Sequence, residues 1–529
     1  MNRNDSIQSL RQQTKPYDLI VVGGGSTGLG AVVEAAARGH RTLLVEQADF
    51  AKGTSSRSTK LVHGGVRYLK QGNVHLVREA LQERGRLARN APHLVHDMAF
   101  VIPSYTTFNK GFYGIGLKVY DAMAGKLGLG RSRVLSRDEA IEHLPTVRTD
   151  KLKGGVLYHD GQFDDSRLAV NLAQTAVDHG ADVVNYMRCT GLLKRGGRVA
   201  GVKLEDVLTN EAIEVRGKVV INATGVFVDQ LMSLSTGQDS NLVAVSQGIH
   251  LVLPRKFHPG TAALMIPKTE DGRVLFAVPW HDVVILGTTD TPVSKAELEP
   301  RALREERDFI ISHARKYLSS QPTGEDVLSV FVGLRPLVRS GASARTASLS
   351  RDHTILVDEN GLVTITGGKW TTYRRMGEDV INRAETVAGI QARPCPTREM
   401  KIHGWCETRD EDPFLAVYGS QARKVRKLLE NPELEQTIHK SLPYRKAEVV
   451  WHVHNEMAQS VEDVLARRTR SLILNAQASI EAAPVVARIM ASEMGQDLVW
   501  AENQVERYTE LAKRYIFENP ASCLDCKVS

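Results

Sequence analysis

Apolar positions fall in short runs through most of this chain and in helical spacing near its end. Tyr17 to Val22 reads as an apolar strand, and the alanine-rich stretch Ala31 to Ala37 predicts a helix that stops near Gly39. Thr42 to Val45 predicts a second strand, and a charged helix is expected over 73–90. Residues 151–240 return to alternation: a helix over 165–179, a strand over 182–187, hairpin-like strands over 191–207 and a strand over 218–221. From 242 to 337 the pattern is strands and turns, at 250–253, 274–278, 283–287 and 330–334. That patterning predicts a separate sheet covering a pocket. Residues 354–383 are strand, glycine turn and helix again. A connection at 394–412 marks a domain boundary, and 413–518 is almost wholly helical in period, for example over 449–474 and 498–515.

Composition narrows the class. The 529 residues suffice for two or three domains, and 42% hydrophobic with 24% charged residues is ordinary for a soluble globular protein. The longest apolar runs fall well short of the ~18 residues a spanning helix needs. Residues 1–15 are polar without an apolar core, which predicts a disordered extension rather than a signal peptide. Cys189, Cys395, Cys406, Cys523 and Cys526 are too few and scattered for a disulfide framework. Cys523 and Cys526 form a C-x-x-C without the second pair that a tetrahedral zinc needs. His452 and His454, at i, i+2 on a helix, face different sides, so no metal is expected. The net charge of +7 suits an anionic substrate, a membrane surface or nucleic acid and selects none of them.

The chemistry begins at Gly23-Gly24-Gly25-Ser26-Thr27-Gly28, a G-x-G-x-x-G turn between the first strand and helix. Gly23 suits the tight turn, Gly25 the approach of a pyrophosphate, and Gly28 the packing of helix on strand. The helix N-terminus offers free N–H groups and a positive dipole end. Glu46 ends the second strand, where a carboxylate accepts from a ribose and repels a 2′-phosphate, which disfavours NADP. Two further glycine-punctuated strand ends, Asn222 to Gly225 and Thr366 to Thr372, lie far away in sequence. If all three strands share one parallel sheet, their carboxyl ends meet at one crevice. A helix from about Thr372 aims its N–H groups there, which suits the charge near N1 of a reduced flavin, so FAD fits better than NAD.

The strings GGGSTGLG, GTSSRSTKLVHGGVRYL, INATG, PWHDVVILGTTDT, VGLRPLV and GGKWTTYRRM resemble the FAD-dependent, respiratory glycerol-3-phosphate dehydrogenase family of the D-amino-acid-oxidase-like flavoproteins. The resemblance runs from residue 16 to the C-terminus, and Val461 to Arg470 resembles the signature of that family's helical C-terminal domain. It implies an α/β FAD-binding Rossmann-like domain with an inserted β-rich (α+β) substrate domain, plus an all-α C-terminal domain. The expected boundaries are 16–98, 151–241 and 340–390 for the FAD-binding domain, 99–150 and 242–339 for the substrate or cap domain, and 395–520 for the helices. FAD contacts are expected at Gly23, Gly25, Ser26, Thr27, Gly28, Glu46, Thr54, Ser55, Ser58, Lys60, Leu61, His63, Gly65, Gly225, Gly368, Lys369 and Thr371.

The implied reaction is hydride transfer from C2 of sn-glycerol 3-phosphate to FAD, giving dihydroxyacetone phosphate. A small dianion needs fixed cations beside the flavin. Arg335, held extended before Pro336 at a strand end, binds phosphate in a two-pronged way. Arg67, Lys369 and His63 lie on glycine-flanked turns; His63 is the candidate base, with Lys369 or Arg67 stabilising the alkoxide. Tyr68 and Thr371 are candidate substrate contacts, although a core tyrosine and a helix-capping threonine explain them nearly as well. Gln247 stands where relatives place a basic residue, which puts one phosphate contact in doubt. Residues 112–127, with Phe112, Ile115, Val119, Met123 and Leu127 on one face, form an amphipathic stretch suited to a membrane interface or to core packing. The expected setting is therefore peripheral, on the cytoplasmic face of the cell membrane, with ubiquinone or another membrane acceptor and a homodimeric assembly. The alternatives are an oxidase using oxygen, another hydroxy-acid or amine oxidase of the group, and a flavin-containing nucleic-acid binder. The last lacks a dense basic run with interleaved aromatics, so no nucleic acid is expected.

Overall fold

Leu19 and Val21 pack on one side of the first strand, Ile20 and Val22 on the other, and all four are buried, as is Tyr17. A strand covered on both faces reads as a continuous apolar run. The computed structural model describes residues 1–65, 73–267, 269, 273–339 and 352–517, and the backbone alone at 107–110, 112, 115 and 126. Its first sheet has the order 354–357, 363–366, 212–222, 17–22, 42–45, 182–184. All neighbours in it are parallel except the outer hairpin 354–357 with 363–366. Helices Ser26–Ala37, Asp165–Asp178 and Tyr373–Ala388 cover one face. The antiparallel ribbon Met187–Arg195 and Arg198–Asp206, paired to residues 212–216 at the start of the long strand Ala212–Asn222, covers the other.

That second face is also closed by a helix over Arg3–Arg11, where a disordered extension was expected. Ile7 and Leu10 are its only apolar residues, and both are buried. Arg3 fixes the helix by reaching Asp206 at 2.7 Å and the Asn185 carbonyl at 3.0 Å. Two apolar residues among nine leave too faint a stripe to read without knowing those distant partners.

The second sheet is mixed, in the order 291–293, 243–254, 283–287, 275–280, 263–266, 95–104, 154–163, 61–62. Ser329–Val338 pairs antiparallel with Val243–Pro254 beside it. Residues 95–98 and 154–163, assigned from sequence to the FAD-binding unit, belong to this sheet. The segment 449–474 is not one helix. It breaks into Lys446–Asn455, a wide turn at Asp463–Arg468 and Ser471–Leu474, with Met457 and Arg470 at positive φ. The C-terminal helices bury Val449, Leu465 and Val486 against Val252, Ile285 and Phe331 of the second sheet.

The breaks aim charged side chains at the first unit. Arg167 forks onto Glu456 at 2.6 and 2.7 Å, Arg468 reaches Asp49 at 2.5 and 2.9 Å, and Arg470 reaches Asp165 at 3.1 Å. All of these groups are buried. Such pairs gain little over apolar packing, but losing one partner strands a charge, so they fix how the two parts meet. Among the described residues no helix is long and apolar enough to cross a membrane.

Candidate active site

The strands ending at Val22, Asn222 and Thr366 open onto one crevice, and a cavity of about 440 Å³ runs along it. Gly23 has φ 111°, and a side chain there would stand 2.6 Å from the Ala223 carbonyl. At Gly28 it would stand 1.8 Å from the Gly23 carbonyl, so Gly28 serves helix packing and does not line the cavity. Helix Ser26–Ala37 starts at Gly25 without a side-chain cap. Its first N–H, from Ser26, is taken by Ser55 Oγ at 2.9 Å; Gly25, Ser26 and Thr27 face the cavity. Glu46 lines the same end, accepting from the Gly24 and Ala48 amides at 2.6 and 3.0 Å. Burial nevertheless holds its pKa above the usual carboxylate value.

The loop after Gly53 ties the parts together. Thr54 Oγ1 donates to the Leu334 carbonyl at 2.6 Å, and the Trp370 indole donates to the Ser55 carbonyl at 2.8 Å. Thr54, Ser55, Ser58 and Leu61 line the cavity. Lys60 does not, contrary to expectation as a cofactor contact. Its ammonium turns beneath the loop onto Asp165, at 2.8 and 2.7 Å, and the Ser56 carbonyl at 2.8 Å. Burial and nearby Arg470 push its pKa down to about 7 against the pull of Asp165. Ser58 bonds the same carboxylate at 2.7 Å, so Asp165 is the floor on which the loop is built.

His63, Gly225, Gly368, Lys369, Thr371 and Arg335 also line the cavity. Gly225 and Gly368 hold positive φ of 62° and 77° at their strand ends. Gly65, at φ 76°, is not on the wall, and Arg67 and Tyr68 lie outside the described residues. Thr371 Oγ1 accepts from the His63 amide at 3.2 Å, so it acts on His63 as well as facing the cavity. The next amide, of Gly64, donates to Tyr120 Oη at 2.9 Å and Asp160 at 3.2 Å, and Asp160 is held by Arg84 at 2.6 Å.

Arg335 lies within the strand Ser329–Val338, not at its end. Its Nη1 reaches Asp290 at 3.3 Å and its Nη2 donates to Thr288 Oγ1 at 3.2 Å. His250 also faces the cavity and was not singled out from the sequence. Its Nε2 bonds Thr59 Oγ1 at 2.9 Å, its ring stacks on Phe331 at 4.6 Å, and burial with nearby Arg335 drives its pKa well below the usual value. The alternation Ser246, Gly248, His250 along one strand was the available signal. Gln247, on the opposite face, donates to Glu306 at 2.6 Å and to the Arg301 carbonyl at 3.2 Å. It takes no part in the cavity.

A cavity lined by an acid, Glu46, and by helix N-termini at Ser26 and Trp370 that their own N-cap residues leave open fits the ribose, pyrophosphate and flavin edge of FAD. The profile of FAD-dependent oxidoreductases matches residues 18–374, and that of the C-terminal domain of alpha-glycerophosphate oxidase matches 365–504. The chain is 39% identical to the mitochondrial glycerol-3-phosphate dehydrogenase of Macaca fascicularis over 96% of its own length and 74% of the relative's. It is 36% identical to that of Arabidopsis thaliana, over 95% and 86%. The glycerol-3-phosphate dehydrogenase of Bacillus halodurans, solved with FAD, superposes with a TM-score of 0.80 at 29% identity, covering 100% of this chain and 99% of that one. Cavity, cofactor fit and near full-length likeness together place this chain among the FAD-dependent glycerol-3-phosphate dehydrogenases, as an enzyme that carries FAD.

Proposed function

We propose that the enzyme oxidises sn-glycerol 3-phosphate at C2 to dihydroxyacetone phosphate and passes the electrons to a membrane quinone. The observation that carries this reading is that two cations, Arg335 and Lys369, line the same cavity as His63. A dianionic phosphate needs such fixed cations, and the arginine fork suits two of its oxygens. Bound FAD supplies the hydride acceptor. His63 takes the C2 hydroxyl proton, and Lys369 offsets the charge developing on that oxygen. His250 competes for the role of base, but its environment opposes the protonated form.

Anaerobic stopped flow on His63→Ala and His250→Ala separates the two. The reading expects the first to slow flavin reduction about a hundredfold or more with FAD retained, and the second to cost less. A wild-type rate for His63→Ala would reject His63 as the base.

A quinone acceptor is supported by the relatives being named dehydrogenases, and the reading sites the enzyme peripherally on the cytoplasmic face of the membrane. That siting rests on the +7 charge and on helix Thr107–Ala124. There Leu117 and Tyr120 pack inward while Val119 is 47% exposed. An oxygen-using oxidase is the second reading, favoured by the oxidase name of the C-terminal profile. Stoichiometric peroxide in air without quinone would establish the oxidase.

A further inference from the structure

We infer that Asp290 is a positioning residue, which fixes the guanidinium of Arg335 for the substrate phosphate at a cost in anion affinity. The inference rests on the reading of Arg335 as the phosphate fork.

Arg335 stands directly opposite Ser246 where strands Ser329–Val338 and Val243–Pro254 pair. Opposed residues of an antiparallel pair project to the same face. The next position along that face is Gly248, where a side chain would stand 2.4 and 2.6 Å from the two Nη atoms of Arg335. The guanidinium therefore lies over the glycine. Asp290 comes from the segment between Val283–Gly287 and Thr291–Val293, the latter clamped to the same strand through Gln247 and Thr291.

The Asp290 carboxylate takes a hydrogen bond from the fully buried Ser246 hydroxyl and the 3.3 Å contact from Arg335 Nη1. Thr288 Oγ1 receives Nη2 at 3.2 Å, so two points define the plane of the fork. The segment carrying both is anchored in turn, because Thr289 donates to buried Glu306 at 2.9 Å and Gln247 donates to it at 2.6 Å.

Charge makes this arrangement informative. A carboxylate 3.3 Å from the guanidinium weakens its attraction for a dianion, so anion affinity alone would not place one there. What Asp290 supplies is orientation. Only a fixed fork holds the phosphate at two oxygens and so holds C2 at a set distance from the rest of the site. Ground-state affinity is surrendered for a better-placed reacting carbon.

The test uses the full-length, FAD-loaded enzyme and Asp290→Asn. Two quantities are read: the limiting rate of flavin reduction at saturating glycerol 3-phosphate, and the Kd of inorganic phosphate from its perturbation of the flavin spectrum. The inference expects the limiting rate to fall about tenfold or more while phosphate binds as tightly as in the wild type or several-fold tighter. Ser246→Ala, which removes one contact to the carboxylate, should shift the rate in the same direction by about threefold. It decides the question on the same readouts if Asp290→Asn does not accumulate with FAD. A limiting rate within about twofold of wild type, or phosphate affinity lost in parallel with rate, would overturn the inference. Arg335→Met separates the underlying reading: unchanged phosphate Kd and KM in that variant reject the phosphate fork itself. Weakened phosphate there, with Asp290→Asn at full rate, rejects Asp290 alone.

Discussion

The hydroxyl of Thr371 meets the backbone of His63 on both its polar groups, accepting from the amide at 3.2 Å and lying 3.4 Å from the carbonyl as a donor. The two residues are 308 positions apart, one after the first glycine loop and the other in the turn before helix Tyr373–Ala388. The proposed base is therefore set by the start of a distant helix.

Thr371→Val keeps the shape and removes both contacts. It should slow flavin reduction about fivefold to tenfold, in line with about 1 kcal/mol for a lost hydrogen bond, while Thr371→Ser stays near wild type. Stopped-flow reduction checks both, and equal rates in the two variants would contradict the link.

Gly248→Ala should raise KM for glycerol 3-phosphate about tenfold or more with FAD binding intact. The added carbon would stand 2.4 Å from the Arg335 guanidinium and 2.6 Å from Thr288 Oγ1, both side-chain atoms and not backbone. The guanidinium is displaced and the strand is spared. An unchanged KM would mean that Arg335 binds substrate from another position.

Arg167→Met should cost about 3–5 kcal/mol in urea unfolding, because it leaves Glu456 buried without its 2.6 and 2.7 Å partner. Adding Glu456→Gln should recover part of that loss. A single variant as stable as wild type would show that the C-terminal helices are held chiefly by apolar packing.

Much of this was legible in sequence. Leu19 to Val22, Val219 to Ile221 and Val363 to Ile365 are buried, and their parallel register gathers the three glycine turns as expected. What escaped was decided by partners far along the chain. Lys60 reads as a cofactor contact until Asp165 lies beneath it, and Gln247 as a missing phosphate contact until Glu306 takes its amide. The helix at Arg3–Arg11 depends on Asp206, and His250 gains its place from Thr59 and Phe331. Arg67, Tyr68, Cys523 and Cys526 lie outside the described residues.

Glu448 gives the fold a pH signature. Burial pushes its pKa up to about 7, against the Arg445 amide at 2.7 Å and the Tyr418 hydroxyl at 3.0 Å. The folded state then keeps a proton that the unfolded chain, at its ordinary 4.5, has released. This contribution is complete below about pH 4.5 and is lost as pH rises through 7. Unfolding midpoints of Glu448→Gln should lack that decline, and parallel profiles for variant and wild type would contradict it.

The most direct test of the whole account is anaerobic titration of the FAD-loaded enzyme with sn-glycerol 3-phosphate, followed in the visible flavin band. The account predicts bleaching that ends at one equivalent of substrate per flavin, with dihydroxyacetone phosphate formed in equal amount. A band unmoved by glycerol 3-phosphate but bleached by an amino acid or a hydroxy acid without phosphate would contradict it.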